Sequence, residues 1–305
     1  MTRFNGIAQE LATKANAGFA ALAATAGFLM AAPALAQDAG AQNSGPQVKG
    51  APENWQLGLQ DAATPVMEEV QDFHNLLLVI ITAITIFVLA LMIYAGWRFH
   101  ETRNPTPSKT THNTVIEVIW TAVPVIILVV IAIPSFKLLY YEDQVVDAEM
   151  TVKAIGRQWY WSYEYPDQGG ISFDAFMIED ADIDPSKGEL RQLATNQAVI
   201  LPVDTNVRIL TTSSDVLHSF AMPSMGVKRD AVPGQLNETW VRIREEGIYY
   251  GQCSELCGVR HNAMPIEIKA VSKDEFERWV GTMQAEQGIT PDDQPQLADA
   301  EANAN

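Results

Sequence analysis

Cysteine and basic side chains are scarce in this chain. Its 305 residues include two cysteines and five histidines, so at most one disulfide can form and soft metal ligands are few. Lys and Arg number 20 against 37 Asp and Glu, which gives a formal net charge of −17. A surface of this sign repels phosphate backbones and recruits basic partners, so nucleic acid is not an expected partner.

Charge is also missing from two long stretches. The run from Leu76 to Trp97 has no formal charge and is long enough to span a bilayer, and a second apolar run extends from Val118 to Phe136. The connection between them, Arg98 to about Asn113, has more basic than acidic residues, which places it in the cytoplasm. The pattern predicts a transmembrane helical hairpin over residues 64–141, with both ends outside.

The N-terminal segment 1–36 has the pattern of a secretory signal. An Ala-rich apolar stretch ends in a small-x-small pattern at Ala36, and we expect the segment to be removed. The alternative is a first spanning helix, but the stretch is rich in Ala and Gly and is interrupted by Pro33. Residues 37–63 are polar with little apolar clustering, which predicts an extended, exposed segment.

Beyond the hairpin the pattern changes to short runs that alternate or are β-branched. Gly, Pro, Asn and Asp separate them, which predicts an all-β sandwich or barrel over residues 142–284. The runs are Thr151–Ile155, Gln158–Tyr165, Ala198–Val203, Val207–Thr212, Glu238–Ile243, Gly247–Gly251 and Ile266–Val271. Ser272 and Glu275 match a capping box that opens a helix to about Met283. The acidic remainder, 285–305, is predicted to be a disordered tail.

Both cysteines lie on one short loop with a histidine and a methionine. Cys253, Cys257, His261 and Met264 follow in the order Cys-x3-Cys-x3-His-x2-Met, so four soft or borderline ligands can converge on one point. This combination favours copper. A disulfide between the two cysteines is the simplest alternative, and zinc is disfavoured because thioether is not among its usual ligands.

This loop differs from a mononuclear blue-copper site by its second cysteine, because such a site uses one Cys, two His and a weak axial Met. Two thiolates could bridge two metals, and each copper would then need its own nitrogen ligand. Three other histidines lie in or beside the apolar segments: His74, His100 and His112. His218 lies in the strand-rich domain and is the expected second nitrogen, although a histidine between apolar residues is otherwise more often part of a core.

The loop, the segment Asp215-Val216-Leu217-His218 and the aromatic run Gly156–Tyr165 together resemble subunit II of the bacterial haem-copper cytochrome c oxidases. The resemblance covers roughly residues 64–280. It implies a cupredoxin-like Greek-key sandwich or barrel and a mixed-valence dinuclear copper centre. The implied copper ligands are His218, Cys253, Cys257, His261, Met264 and the backbone carbonyl of Glu255. Homologues in quinol oxidases lack this set.

The resemblance implies that the chain accepts electrons from cytochrome c and passes them to the haem of subunit I. Oxygen is reduced to water there, coupled to proton pumping. Subunit III and membrane lipid are further implied partners. The chain is expected in the bacterial inner membrane, with both mature termini and the copper domain on the periplasmic side. The Glu255 side chain is implied to reach a magnesium or manganese ion shared with subunit I; alternatively, it only orients the loop.

Strand alternation places Trp159, Trp161, Tyr163 and Tyr165 on one face, which is typical of a core. The resemblance instead implies that Trp159 is where electrons enter from cytochrome c. The acids implied to steer cytochrome c are Glu164, Asp167, Asp174 and Asp215. Asn196 stands where relatives often carry a further acid.

Glu117 directly precedes the second apolar run and has two possible roles. Thr114-Val115-Ile116-Glu117 matches a capping box, in which the acid closes the helix N-terminus. The resemblance implies that an acid here forms the mouth of a proton-uptake path into subunit I, and the two roles are compatible.

A membrane-tethered copper delivery or storage protein is the rival function, because it would also use Cys, His and Met. Such proteins favour exposed, exchangeable ligands, whereas these are bracketed by predicted strands. Nitrous-oxide reductase, an enzyme with a similar copper loop, is disfavoured by the membrane hairpin.

Overall fold

A helical hairpin and a β domain make up the part of the chain that the computed structural model describes, residues 47–144 and 147–289. Helix α1 spans Pro65–Arg98 and helix α2 spans Thr114–Asp143. Both are long and apolar enough to cross a membrane, and their most apolar windows are not buried within the chain. The two predicted spanning helices are confirmed, whereas the predicted signal segment 1–36 lies outside the described residues.

Both helices begin at a capping side chain. The Thr64 hydroxyl accepts a backbone hydrogen bond from the first turn of α1 at 3.2 Å, and Pro65 is the first helical residue, as the sequence predicts. The cap of α2 is Asn113 and not the expected Thr114, because the Asn113 amide oxygen accepts two backbone N–H groups of the first turn. Asn is the stronger capping residue of the two, which shifts the boundary by one position.

The β domain consists of two sheets. In chain order the strands of the described residues are β1 Val48–Gly50, β2 Met150–Arg157, β3 Tyr160–Tyr165, β4 Ile171–Ala175, β5 Val199–Pro202, β6 Val207–Ser213, β7 His218–Met222, β8 Val227–Ala231, β9 Asn237–Val241, β10 Gly247–Cys253 and β11 Pro265–Val271. One sheet has the order β5-β11-β10-β7-β8, with β1 paired to β10, and the other has the order β4-β3-β2-β6-β9. The predicted all-β sandwich is confirmed.

One hydrophobic core joins the two sheets. It contains Trp161, Tyr163 and Tyr165 from β3 together with Ile266 and Ile268 from β11, all of them buried. The alternation that predicted a core face is therefore correct for these three aromatic residues. Burial of side chains this large supplies much of the apolar area that stabilises the domain.

The aromatic run differs from its prediction at its start. Gln158 and Trp159 form the turn that joins β2 to β3, and the strand begins at Tyr160. Trp159 is half-buried, so it does not share the buried face of β3. The prediction from alternation included Gln158 and Trp159 in the strand, because these two turn residues continue its polar-aromatic pattern.

A helix closes one side of the sandwich. Helix α3 spans Lys273–Gln287, and the Ser272 hydroxyl accepts a hydrogen bond from the Glu275 N–H at 3.3 Å, as the predicted cap requires. Its Trp279 ring lies 5.0 Å from the ring of Tyr165 in the core. The helix continues three residues into the segment that was expected to begin a tail at 285, and residues 290–305 lie outside the described residues.

Candidate metal centre

Two strand ends and one loop bring sulfur and nitrogen side chains together. Cys253 is the last residue of β10 and His218 is the first residue of β7, its neighbour in the sheet. Cys257 and His261 lie in the loop between β10 and β11, and Met264 directly precedes β11. The ligand atoms of His218, Cys253 and Cys257 all lie within 4.8 Å of one another.

Each cysteine has an imidazole nitrogen beside it. Cys253 Sγ lies 3.8 Å from His218 Nδ1, and Cys257 Sγ lies 3.5 Å from His261 Nδ1. Both cysteines are free thiols, so the structure does not contain the disulfide that was the simplest alternative. The centre therefore has two thiol-imidazole pairs, which is the arrangement expected if each of two metals takes its own nitrogen.

A carbonyl and a thioether complete the set. The Glu255 carbonyl oxygen lies 3.3 Å from Cys253 Sγ, and Met264 Sδ lies 3.5 Å from Cys257 Sγ. The four other predicted ligands therefore each lie within 3.8 Å of one of the two cysteine sulfurs. His218 and Met264 are almost completely buried, both cysteines are buried, and only His261 and Glu255 are partly exposed. Buried ligands of this kind exchange poorly, in contrast to the exposed ligands expected of a delivery protein.

The two thiols differ in acidity because they lie so close together. Burial opposes ionisation of Cys253, but hydrogen bonds from His218 and from the backbone outweigh it and lower the pKa of this thiol. Burial and the charge of Cys253 raise the pKa of Cys257. The protein alone therefore favours one thiolate over two, and cations at the centre would relieve the repulsion between the sulfurs.

Two family models together cover most of the chain. The model for the periplasmic domain of cytochrome c oxidase subunit II matches residues 150–271, and the model for its transmembrane domain matches residues 52–138. A probable cytochrome c oxidase subunit 2 from Rickettsia bellii is 49% identical over 231 residues, which is 76% of this chain and 85% of that protein. This chain belongs to the cytochrome c oxidase subunit II family.

Two further proteins are similar to this subunit II chain. Cytochrome c oxidase subunit 2 from Oenothera berteroana is 50% identical over 239 residues, which is 76% of this chain and 92% of that protein. The crystal structure of the periplasmic domain of subunit II of cytochrome oxidase from Bradyrhizobium japonicum is 46% identical. The match covers 48% of this chain and all of that domain, with a TM-score of 0.44.

The β2–β3 turn of this subunit II chain lies against the cysteine loop. The Trp159 indole nitrogen and the Gln158 side-chain amide both donate hydrogen bonds to the Cys257 carbonyl oxygen, at 3.2 and 2.9 Å. Gly258 makes this approach possible, because a Cβ there would lie 3.2 Å from the Trp159 ring and its φ of +121° favours glycine. The structure thus brings Trp159 into direct contact with a ligand residue.

The four predicted docking acids are not equivalent. Glu164 forms an ion pair with Lys153 at 2.9 Å. The Asp167 carboxylate accepts the Thr151 N–H at 2.7 Å, and the Asp174 carboxylate accepts the Ser162 hydroxyl. Asp215 is the only one of the four that contacts a metal-ligand candidate, with Oδ1 lying 2.9 Å from His218 Nε2.

Glu117 and Asn196 both make local hydrogen bonds to the backbone. The Glu117 carboxylate accepts the Asn113 N–H at 3.2 Å, so it closes the start of α2 as the sequence predicts, but with Asn113 and not Thr114 as its capping partner. The Asn196 amide oxygen accepts the Phe176 N–H at 2.7 Å. Asn196 therefore holds two loop segments together.

Three residues that shape the centre are not indicated by any sequence pattern. Gly156 leaves space for the His218 ring, since a Cβ at this position would lie 2.7 Å from His218 Cδ2. The Trp161 indole nitrogen donates to the Met264 carbonyl oxygen at 3.3 Å. Gln158 contacts Cys257, as described above. All three fall within the aromatic run that carries the family resemblance, but only their contacts reveal what they do.

Proposed function

We propose that this chain is the electron-accepting subunit of a cytochrome c oxidase. It receives electrons from cytochrome c at a dinuclear copper centre and delivers them to the haem of subunit I, where oxygen is reduced to water and protons are pumped. The grouping of two imidazoles, a thioether and a carbonyl around two buried cysteine thiols carries this proposal. Bound copper would supply a one-electron acceptor whose charge is shared between two ions.

The donor set fits two copper ions better than one zinc ion. Six donors with two thiolates exceed what a tetrahedral structural zinc site uses, and thioether is not a usual zinc ligand. The ligands also lie on rigid elements, because Cys253 is the last residue of β10 and His218 is the first residue of the neighbouring strand β7. Electron transfer favours ligands that move little between oxidation states, and strands with buried side chains meet this need.

Trp159 is the proposed entry point for electrons. Its ring is half-buried, so one edge is accessible to a docked partner, while its indole nitrogen bonds to the carbonyl of Cys257. This position links the surface to a ligand residue through a single hydrogen bond. The net charge of −17 supports a basic partner such as cytochrome c, with Glu164, Asp167, Asp174 and Asp215 as the proposed steering acids.

The remaining roles concern the membrane and subunit I. The Glu255 side chain is partly exposed beside the centre, and a magnesium or manganese ion at the interface with subunit I is its proposed partner, because carboxylates suit such cations. Glu117 is proposed to combine helix capping with the entrance of a proton path. Subunits I and III and lipid would cover the exposed apolar faces of α1 and α2 in the bacterial inner membrane, with the β domain on the periplasmic side.

Isolation of the oxidase complex and a count of its copper test the proposal. We expect this chain to bind two copper ions, counted as the difference in copper between the parent complex and the serine control described below, and to give a spin-resonance signal from one electron shared between two coppers. One loosely held Cu(I) ion per chain would contradict the proposal and support copper delivery instead. The matched control is a complex in which both Cys253 and Cys257 are replaced by serine, which should lose both coppers of this centre.

A further inference from the structure

Asp215 connects parts of the centre that are far apart in the sequence. Its Oδ1 atom lies 2.9 Å from His218 Nε2, and its Oδ2 atom accepts the backbone N–H of Gln158 at 2.7 Å. The Gln158 side chain in turn donates to the Cys257 carbonyl oxygen at 2.9 Å. A continuous path of hydrogen bonds therefore joins the ligand residue on β7 to a ligand residue on the β10–β11 loop.

The carboxylate is itself held in place. The Val216 N–H donates to Asp215 Oδ1 at 2.6 Å, and the Ser213 hydroxyl lies 3.3 Å from the same oxygen. The side chain is 31% exposed. A carboxylate that only attracts a basic protein does not require its oxygens to be held in place. Both carboxylate oxygens of Asp215, however, have defined hydrogen-bond partners.

We propose that Asp215 is a positioning residue for the copper centre. By binding Nε2 it leaves His218 Nδ1 facing Cys253, and by binding the Gln158 N–H it holds the turn that presents Trp159 to Cys257. Carboxylate partners of ligating histidines fix the ring orientation in this way. The proposal rests on the proposed function, since it concerns how that centre is held, and it gives Asp215 a task that does not require cytochrome c.

Substitutions at two of the acids separate positioning from docking. The oxidase complex is isolated with Asp215→Ala, Asp215→Asn or Glu164→Gln in this chain. Glu164 is the matched control, because it is also a proposed docking acid but pairs with Lys153 and touches no ligand. Copper spin-resonance and near-infrared spectra are recorded without cytochrome c, copper loss to a chelator is timed, and KM and kcat for cytochrome c are measured over a range of salt concentrations.

We expect Asp215→Ala to alter the copper spectra and to speed copper loss about 10- to 100-fold, the usual effect of removing such a partner. Asp215→Asn keeps the side-chain volume, but its single amide oxygen cannot accept the hydrogen bonds of both His218 and Gln158. The copper spectra of this variant should therefore also differ from those of the parent complex. This variant decides the question even where the alanine variant does not assemble. Glu164→Gln should leave the spectra unchanged and raise KM at low salt.

Unaltered spectra and copper retention in the Asp215→Asn and Asp215→Ala complexes, with only KM changed, would overturn the proposal and leave Asp215 as a docking acid. A different result would refute the proposed function instead: a parent complex that holds fewer than two coppers per chain beyond the copper of a complex with serine at Cys253 and Cys257. The two failures are therefore distinguishable in the same set of measurements.

Discussion

The Trp159 indole nitrogen donates a hydrogen bond to the backbone carbonyl oxygen of Cys257, and the two atoms are 3.2 Å apart. One of these residues is half-buried in a turn and the other is a buried member of the metal centre. In the proposed function this contact serves as a short route for electrons from the protein surface to a candidate ligand residue. Electron entry at Trp159 and copper binding at Cys257 can therefore be tested independently.

Replacing Trp159 with Gln is expected to slow reduction of the centre by cytochrome c by about tenfold or more, because the aromatic edge that the partner meets is lost. The copper spectrum should stay intact, since Trp159 supplies no ligand atom. Stopped-flow reduction of the complex by cytochrome c provides the measurement. Trp55→Gln is the control, because Trp55 is 97% exposed and lies in the connection between β1 and α1. Equal rates in the parent and Trp159→Gln complexes would reject the entry role.

Cys257→Ser tests whether both sulfurs are needed. A serine hydroxyl is a harder and weaker ligand than a thiolate, so the signal of an electron shared between two coppers should disappear and oxidase turnover should fall. Spin-resonance spectra and oxygen consumption are the two readouts. Ser254→Ala changes an exposed neighbour on the same loop and should leave both unchanged. If Cys257→Ser retained both, Cys257 would not bridge the metals.

Much of the fold is predictable from the sequence because it depends on local patterns, and the six candidate donors follow from the loop motif together with the family resemblance, which alone implied the Glu255 carbonyl. Charge-free runs predict α1 and α2, and alternation predicts most strands. Strand β8 is not predicted because its VKRDA sequence has three consecutive charged residues and is buried only at its two ends. Strand β4 is likewise fully buried only at its two ends, although Phe173 at its centre packs against the core while partly exposed.

The supports of the centre are harder to predict because they depend on contacts between distant segments. Asp215 is acidic and close to a ligand, which indicates a docking role, and only the fold shows that its second oxygen binds the Gln158 N–H. Gly156 carries no side chain from which a role can be inferred. The donors lie in two short stretches of sequence, whereas the residues that orient them come from the β2–β3 turn as well.

Gly156→Ala is expected to displace a copper ligand without removing it. The added Cβ would lie 2.7 Å from Cδ2 and 2.8 Å from Cγ of His218, so the ring has to move. We expect copper affinity to fall about 10- to 100-fold, comparable to the loss of an outer-shell partner. Copper titration of the chain in detergent measures this.

The control for this substitution is Gly281→Ala on α3, where an added Cβ has no atom within 4 Å. Alanine there should leave copper affinity unchanged and stabilise the helix by about 1 kcal/mol or less. If both variants bound copper as tightly as the parent chain, the packing of Gly156 against His218 would have no bearing on the centre.

Tyr163 and Tyr165 offer a matched pair for the energetics of the core, because both rings are buried but only one hydroxyl is paired. The Tyr165 hydroxyl donates to the Ile200 carbonyl oxygen at 3.2 Å and accepts the Ile200 N–H at 3.0 Å. The Tyr163 hydroxyl has no hydrogen-bond partner among residues 47–144 and 147–289. Removing the paired hydroxyl leaves two backbone groups unsatisfied, so Tyr165→Phe should lower the free energy of unfolding by about 1–3 kcal/mol.

Tyr163→Phe should leave the free energy of unfolding unchanged or raise it by up to about 1 kcal/mol, because the buried hydroxyl gains nothing to offset its desolvation. Denaturant unfolding of the chain in detergent, followed by tryptophan fluorescence, compares the two variants with the parent. The copper spectrum is the second readout, since neither ring touches a ligand and both variants should keep it. A larger loss of stability in Tyr163→Phe than in Tyr165→Phe would show that the unpaired hydroxyl has a partner, for which an ordered water is the simplest identity.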